Sequence, residues 1–141
     1  AIFLECIEFY SDNVAKKVRS AADVPGAARQ VIRSVMRRAV DRILDAEGKR
    51  GCFLNNSAVE MGPRELEAAS RCRSGIKLME DTFECLVRRG QTEGDISMTR
   101  DPKKIARFLT SAINGIMVIG KVNPRPETLY DIVETAMEVV S

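Results

Sequence analysis

Apolar residues recur every three or four positions along the chain, and no segment alternates strictly between apolar and polar. Helical periodicity without period-two patterning predicts an all-α chain. Six helices are read this way. The first presents Phe3, Cys6, Ile7, Tyr10, Val14 and Val18 on one face, fades through Ser20-Ala21-Ala22-Asp23, and is separated from the next by Pro25-Gly26. The second runs from about 27 to 46, and Gly48 and Gly51 close it. Its pairs Val31-Ile32, Val35-Met36, Ala39-Val40 and Ile43-Leu44 form a stripe wide enough to touch neighbours on two sides. A short third helix, 54–61, stops at Gly62-Pro63, and that proline is suited to the first turn of a long fourth helix. The fourth presents Leu66, Ala69, Arg73, Ile76, Met79, Phe83 and Leu86 and ends between Gly90 and Gly94. Asp101-Pro102 reads as an N-cap followed by proline at the first helical position. The fifth helix then carries Ile105, Phe108, Leu109, Ala112, Ile113, Ile116, Met117 and Val118, apolar around most of its girth, and Asn123-Pro124-Arg125-Pro126 stops it. The sixth has Leu129, Ile132, Val133, Ala136, Met137 and Val140 as a seam at three-and-four spacing. With no repeat or internal boundary, residues 1–141 form one domain.

Two glycines change the picture of the fifth helix. Gly115 and Gly120 fall within it or at its end, where each costs about 1 kcal/mol relative to alanine and needs a local reason. Close approach of another helix is the usual one. Together with the apolar sixth helix, they predict that the last two helices bury surface between two copies of the chain, because so large an apolar patch is unusual on a monomer. The expected homodimer interface comprises Ile113, Gly115, Ile116, Gly120, Leu129, Ile132, Val133, Ala136, Met137 and Val140.

Charge and composition mainly exclude. At 141 residues the chain is long enough to bury a real core. A net charge of +2 is too mild to imply nucleic-acid binding by itself. Arg29, Arg33, Arg37, Arg38 and Arg42 line one side of the second helix and read as a solvated face opposite the apolar stripe. The four cysteines, Cys6, Cys52, Cys72 and Cys85, have no Cys-x-x-Cys spacing, and there is no histidine. That pattern argues against a metal site and for reduced, packed thiols in a cytoplasmic protein. Lys49 and Arg50 precede Cys52, and their charge favours the thiolate, so a cysteine-based redox sensor is kept as an alternative. No catalytic motif or phosphate loop is present, so neither enzymatic activity nor a cofactor is expected. No apolar run approaches the ~20 residues that span a bilayer, so no membrane partner is expected. The chain begins Ala1-Ile2-Phe3-Leu4, without a methionine and inside a helical pattern, which predicts a fragment of a longer protein.

The segment Gly51-Cys52-Phe53-Leu54-Asn55-Asn56-Ser57-Ala58-Val59-Glu60 mixes amides, a hydroxyl and apolar groups, a pattern suited to a cavity wall. It precedes a long helix ending Arg88-Arg89-Gly90-Gln91-Thr92-Glu93-Gly94. With Ala1-Ile2-Phe3, Asp101-Pro102 and Asn114-Gly115, these segments stand in an order and spacing that resemble the regulatory half of the TetR/AcrR family of bacterial transcription regulators. The resemblance covers essentially the whole chain. It implies an effector-binding and dimerisation domain whose last two helices form a four-helix bundle with their two-fold mates. The helix-turn-helix DNA-binding domain would precede Ala1, so operator DNA would be touched only through a domain absent from this chain.

The resemblance also implies a cavity for a small apolar or weakly polar organic effector, lined by Tyr10, Val14, Met36, Phe53, Asn56, Met79, Phe83, Phe108 and Asn114. Methionine and phenylalanine supply an adaptable apolar wall, and the amides and the tyrosine orient a polar group. The first helix would be the lever between cavity and DNA head. The alternative left open is a helical dimeric interaction module without a small ligand.

Overall fold

The computed structural model describes Lys16, Asp23, residues 25–45 and residues 66–141, the side chains of 66–72 excepted. All elements among the described residues are helices: α1 (Ala28–Leu44), α2 (Leu66–Thr92), α3 (Pro102–Val122) and α4 (Pro126–Val139). They correspond to the second, fourth, fifth and sixth predicted helices. The expected first helix and the 54–61 helix lie outside the described residues, as do Tyr10, Val14, Phe53 and Asn56.

Local chemistry places the ends of α3 and α4. The Asp101 carboxylate accepts the backbone N–H of Lys103 at 3.0 Å and of Lys104 at 3.4 Å, satisfying two of the donors that every helix N-terminus leaves open. Pro102 and Pro126 occupy first-turn positions, where their missing N–H is no loss. At its other end α2 closes in a Schellman arrangement. Asp95 N–H donates to the Gly90 carbonyl at 2.8 Å and Gly94 N–H to Gln91 at 3.2 Å. Gly94 takes the left-handed φ of +81° that this closure requires.

Helix α1 packs on α2, α3 and α4, and the most extensive pairing joins α2 to α3. The core is one apolar cluster drawn from all four helices, with Ile32, Met36, Val40, Phe83, Leu86, Leu109, Ile116, Leu129 and Val133 fully buried in it. Each such side chain contributes about 1.5–3 kcal/mol of transfer free energy. The buried hydroxyls do not compromise this core. Thr82 Oγ1 donates to the Leu78 carbonyl at 2.8 Å and Thr110 Oγ1 to the Ala106 carbonyl at 2.9 Å, so each is satisfied within its own helix.

Two expectations shift. The buried side of α2 contains Gly75, Met79, Thr82, Phe83, Leu86, Val87 and Gly90, whereas Arg73 is exposed and Ile76 only half-buried. Tertiary packing has turned that face slightly from the one that apolar residue type alone selects. In addition, α3 meets the length and composition of a membrane span. Here it is a core helix, with Ile105, Ala106, Leu109, Thr110, Ile113, Ile116 and Gly120 buried against its neighbours.

Candidate effector and subunit-contact site

Of the expected cavity residues that are described, Met36, Met79 and Phe83 come together. They arise from α1 and α2, whose facing stripes at three-and-four spacing place them in the same buried cluster. Asn114 is half-buried on α3, and its amide nitrogen donates to the Thr110 carbonyl at 3.0 Å. Phe108 stands apart. It is 43% exposed and projects from the other side of α3. The physical reason is rotation about the helix: Ile105, Leu109 and Ile116 fill the core, and Phe108 lies 100° per residue away from Leu109 on the open flank. The exposed side of α2 also bears an open depression lined by Arg73, Ser74, Lys77, Leu78 and Asp81. It is charged where the expected cavity was mostly apolar. Lys77 holds Asp81 at 3.0 Å, and that hydrogen bond raises the lysine pKa.

The expected subunit-contact residues divide in two. Ile113, Ile116, Gly120, Leu129, Val133, Ala136, Met137 and Val140 are buried within the single chain. They form its own core because α4 turns this seam inward onto α1 and α3. Gly120 has an intramolecular cause as well: a Cβ there would overlap the stiff branched side chain of Ile43 on α1. Gly115 differs. A Cβ at that position would meet nothing within 4 Å among the described residues, so no contact among them explains the glycine.

Around Gly115 runs a stripe that residue spacing alone did not isolate. Phe108, Ala112, Gly115, Ile119 and Val122 follow one another at four-and-three spacing and share one side of α3, with Val118 beside them. None is fully buried; Val118 is 47% exposed and Val122 82%. On α4, Thr128, Ile132, Thr135 and Val139 repeat the same spacing, with Ile132 and Val139 only half-buried. The available signal was the fifth predicted helix being apolar around most of its girth. One side serves the core, and the surplus lies outside it.

The Arg88-Arg89-Gly90-Gln91-Thr92-Glu93-Gly94 segment builds a joint. Gly90 admits Ile96 and Ala28 so closely that a Cβ would stand 3.1 Å from the Ala28 Cβ. Arg89 donates from Nη2 to the Gly26 carbonyl, and its Nε pairs with Glu93 at 2.9 Å. Asp95 accepts the Arg29 backbone N–H at 2.7 Å. It thus caps α1, whose own N-cap residue, Ala27, has no side chain able to do so. Gln91 Nε2 donates to the carbonyls of Ser97 at 3.0 Å and Arg100 at 2.8 Å, folding the following loop back on the helix end. The motif therefore fastens the end of α2 to the start of α1.

The arginine row on α1 is only partly solvated. Arg33 and Arg37 pair with Glu134 of α4 at 3.3 and 3.6 Å, and the Arg37 guanidinium lies 4.8 Å from the Tyr130 ring centre. The Tyr130 hydroxyl donates to Asp41. That hydrogen bond, aided by burial and the Asp41 charge, raises the tyrosine pKa above its ordinary value. These contacts brace α4 against α1 beside the apolar core.

Residues 25–136 match the family of tetracyclin repressor-like C-terminal domains, and the chain belongs to that family. It is thus a TetR-family transcriptional regulator in class. Among particular relatives, it is 26% identical over 140 residues to YezE of Bacillus subtilis (strain 168), an uncharacterized HTH-type transcriptional regulator, with 99% of this chain and 72% of that protein covered. Its fold matches the crystal structure of regulatory protein TetR from Rhodobacter sphaeroides with a TM-score of 0.88, at 23% identity and over 99% of this chain and 74% of the other.

Proposed function

We propose that this chain is the effector-binding and dimerisation part of a cytoplasmic transcription repressor, with operator contact made by a preceding helix-turn-helix domain. The observation that carries the reading is the apolar stripe on α3 and α4 centred on Gly115, whose open side meets no partner among the described residues. From Phe108 to Val122 it extends about 21 Å along the helix axis, a length suited to packing against a two-fold mate. The contact is therefore assigned to Gly115, Ile119, Val122, Ile132 and Val139 rather than to the inward seam of α4.

The effector is proposed to be a small apolar or weakly polar organic molecule, bound without chemical change. Met36, Met79 and Phe83 would contribute the apolar wall and Asn114 a polar handle, together with Tyr10, Val14, Phe53 and Asn56. The two recognition helices of such a dimer must sit about 34 Å apart to read successive turns of DNA. An effector favouring another spacing would weaken operator binding by its differential affinity, typically about 1–3 kcal/mol. A dimeric interaction module without a ligand is the second reading, favoured by the close packing around Met36 and Phe83 and by the Asn114 amide donating within its own helix.

Sedimentation of the chain at micromolar concentration tests the assembly. The parent is expected to be a dimer and Val122→Arg a folded monomer; a monomeric parent ends the dimer reading. Thermal-shift screening against apolar and weakly polar organic compounds tests the effector. Stabilisation abolished by Met79→Ala, with the variant still folded, supports the pocket, whereas no stabilising compound in a broad library favours the ligand-free module.

A further inference from the structure

We draw no further inference here: the strongest candidate, the open depression along α2 lined by Arg73, Ser74, Lys77, Leu78 and Asp81, presents a single helix face whose lysine is already paired with Asp81 and Glu80, and nothing in the structure shows what covers it.

Discussion

Glycines 115 and 120 sit five residues apart on one helix and answer to different constraints. At Gly120 an added methyl group collides with Ile43, whose branched side chain cannot swing aside. Gly120→Ala is expected to destabilise the chain by about 1–3 kcal/mol from overpacking, less the ~1 kcal/mol that alanine gains in helix propensity. Gly115→Ala meets nothing within 4 Å among the described residues and is expected to raise the stability of the monomeric chain by up to ~1 kcal/mol. Urea unfolding of both variants checks the pair, and equal shifts would contradict the assignment of the two faces. Phe83 supplies the reference for a core position. It is fully buried in the common cluster, so Phe83→Ala should lower stability by about 3–5 kcal/mol in the same assay.

Between elements, the α1–α4 contact combines an apolar seam with a polar edge. Tyr130 and Asp41 form part of that edge, and their hydrogen bond favours the protonated phenol in the folded state. The raised pKa fixes the sign of the pH effect. The contact contributes its full stabilisation below the unfolded tyrosine pKa and loses it as pH climbs through the higher folded value. Tyr130→Phe should therefore cost roughly 1 kcal/mol near neutral pH. The gap between parent and variant should begin to narrow above about pH 10, where the phenol ionises first in the unfolded state. Denaturant midpoints measured from pH 7 to 11 test this, and a gap widening with pH would refute it. At the opposite end of α1, Asp95 replaces a missing local cap, so Asp95→Ala is expected to cost about 1 kcal/mol.

For the whole molecule, the burial pattern separates residues that form the core of the chain from apolar residues left exposed, which are proposed to meet a second copy. Ala136 belongs to the first group, being 1% exposed in its own chain. Ala136→Arg should disrupt the fold, since an unpaired charge would enter the core. Val122→Arg places the same charge on an open flank and should leave the circular dichroism of the chain unchanged while preventing association. A second expectation concerns DNA. The α1 arginines are partly occupied by Glu134, and any binding through residues 29–42 should be weak, independent of sequence and steeply salt-dependent. Nanomolar sequence-selective binding by this chain in physiological salt would overturn the proposed division of labour.

Helix type and several helix ends were legible in the sequence because they depend on neighbours a few residues away. Asp101-Pro102 capped α3, the proline-bearing stretch 123–126 ended it, and Gly90 and Gly94 closed α2, each through local chemistry within about one turn. The family likeness was also legible, in short segments whose order survives in the chain; the structure adds that the Arg89–Gly94 stretch works as a fastening between helix ends. The outward face was the part that local pattern left undecided. Periodicity fixes the angle between two residues on a helix, but it does not say which neighbour lies at that angle. On α3, apolar nearly all round, Phe108 and Leu109 are equivalent as letters, and only the positions of α1, α2 and α4 make one exposed and the other core. The same holds for the seam of α4, whose spacing suits either a partner chain or its own. Tertiary packing settled it inward, because α1 and α3 already supply the apolar surface that those side chains need to leave water.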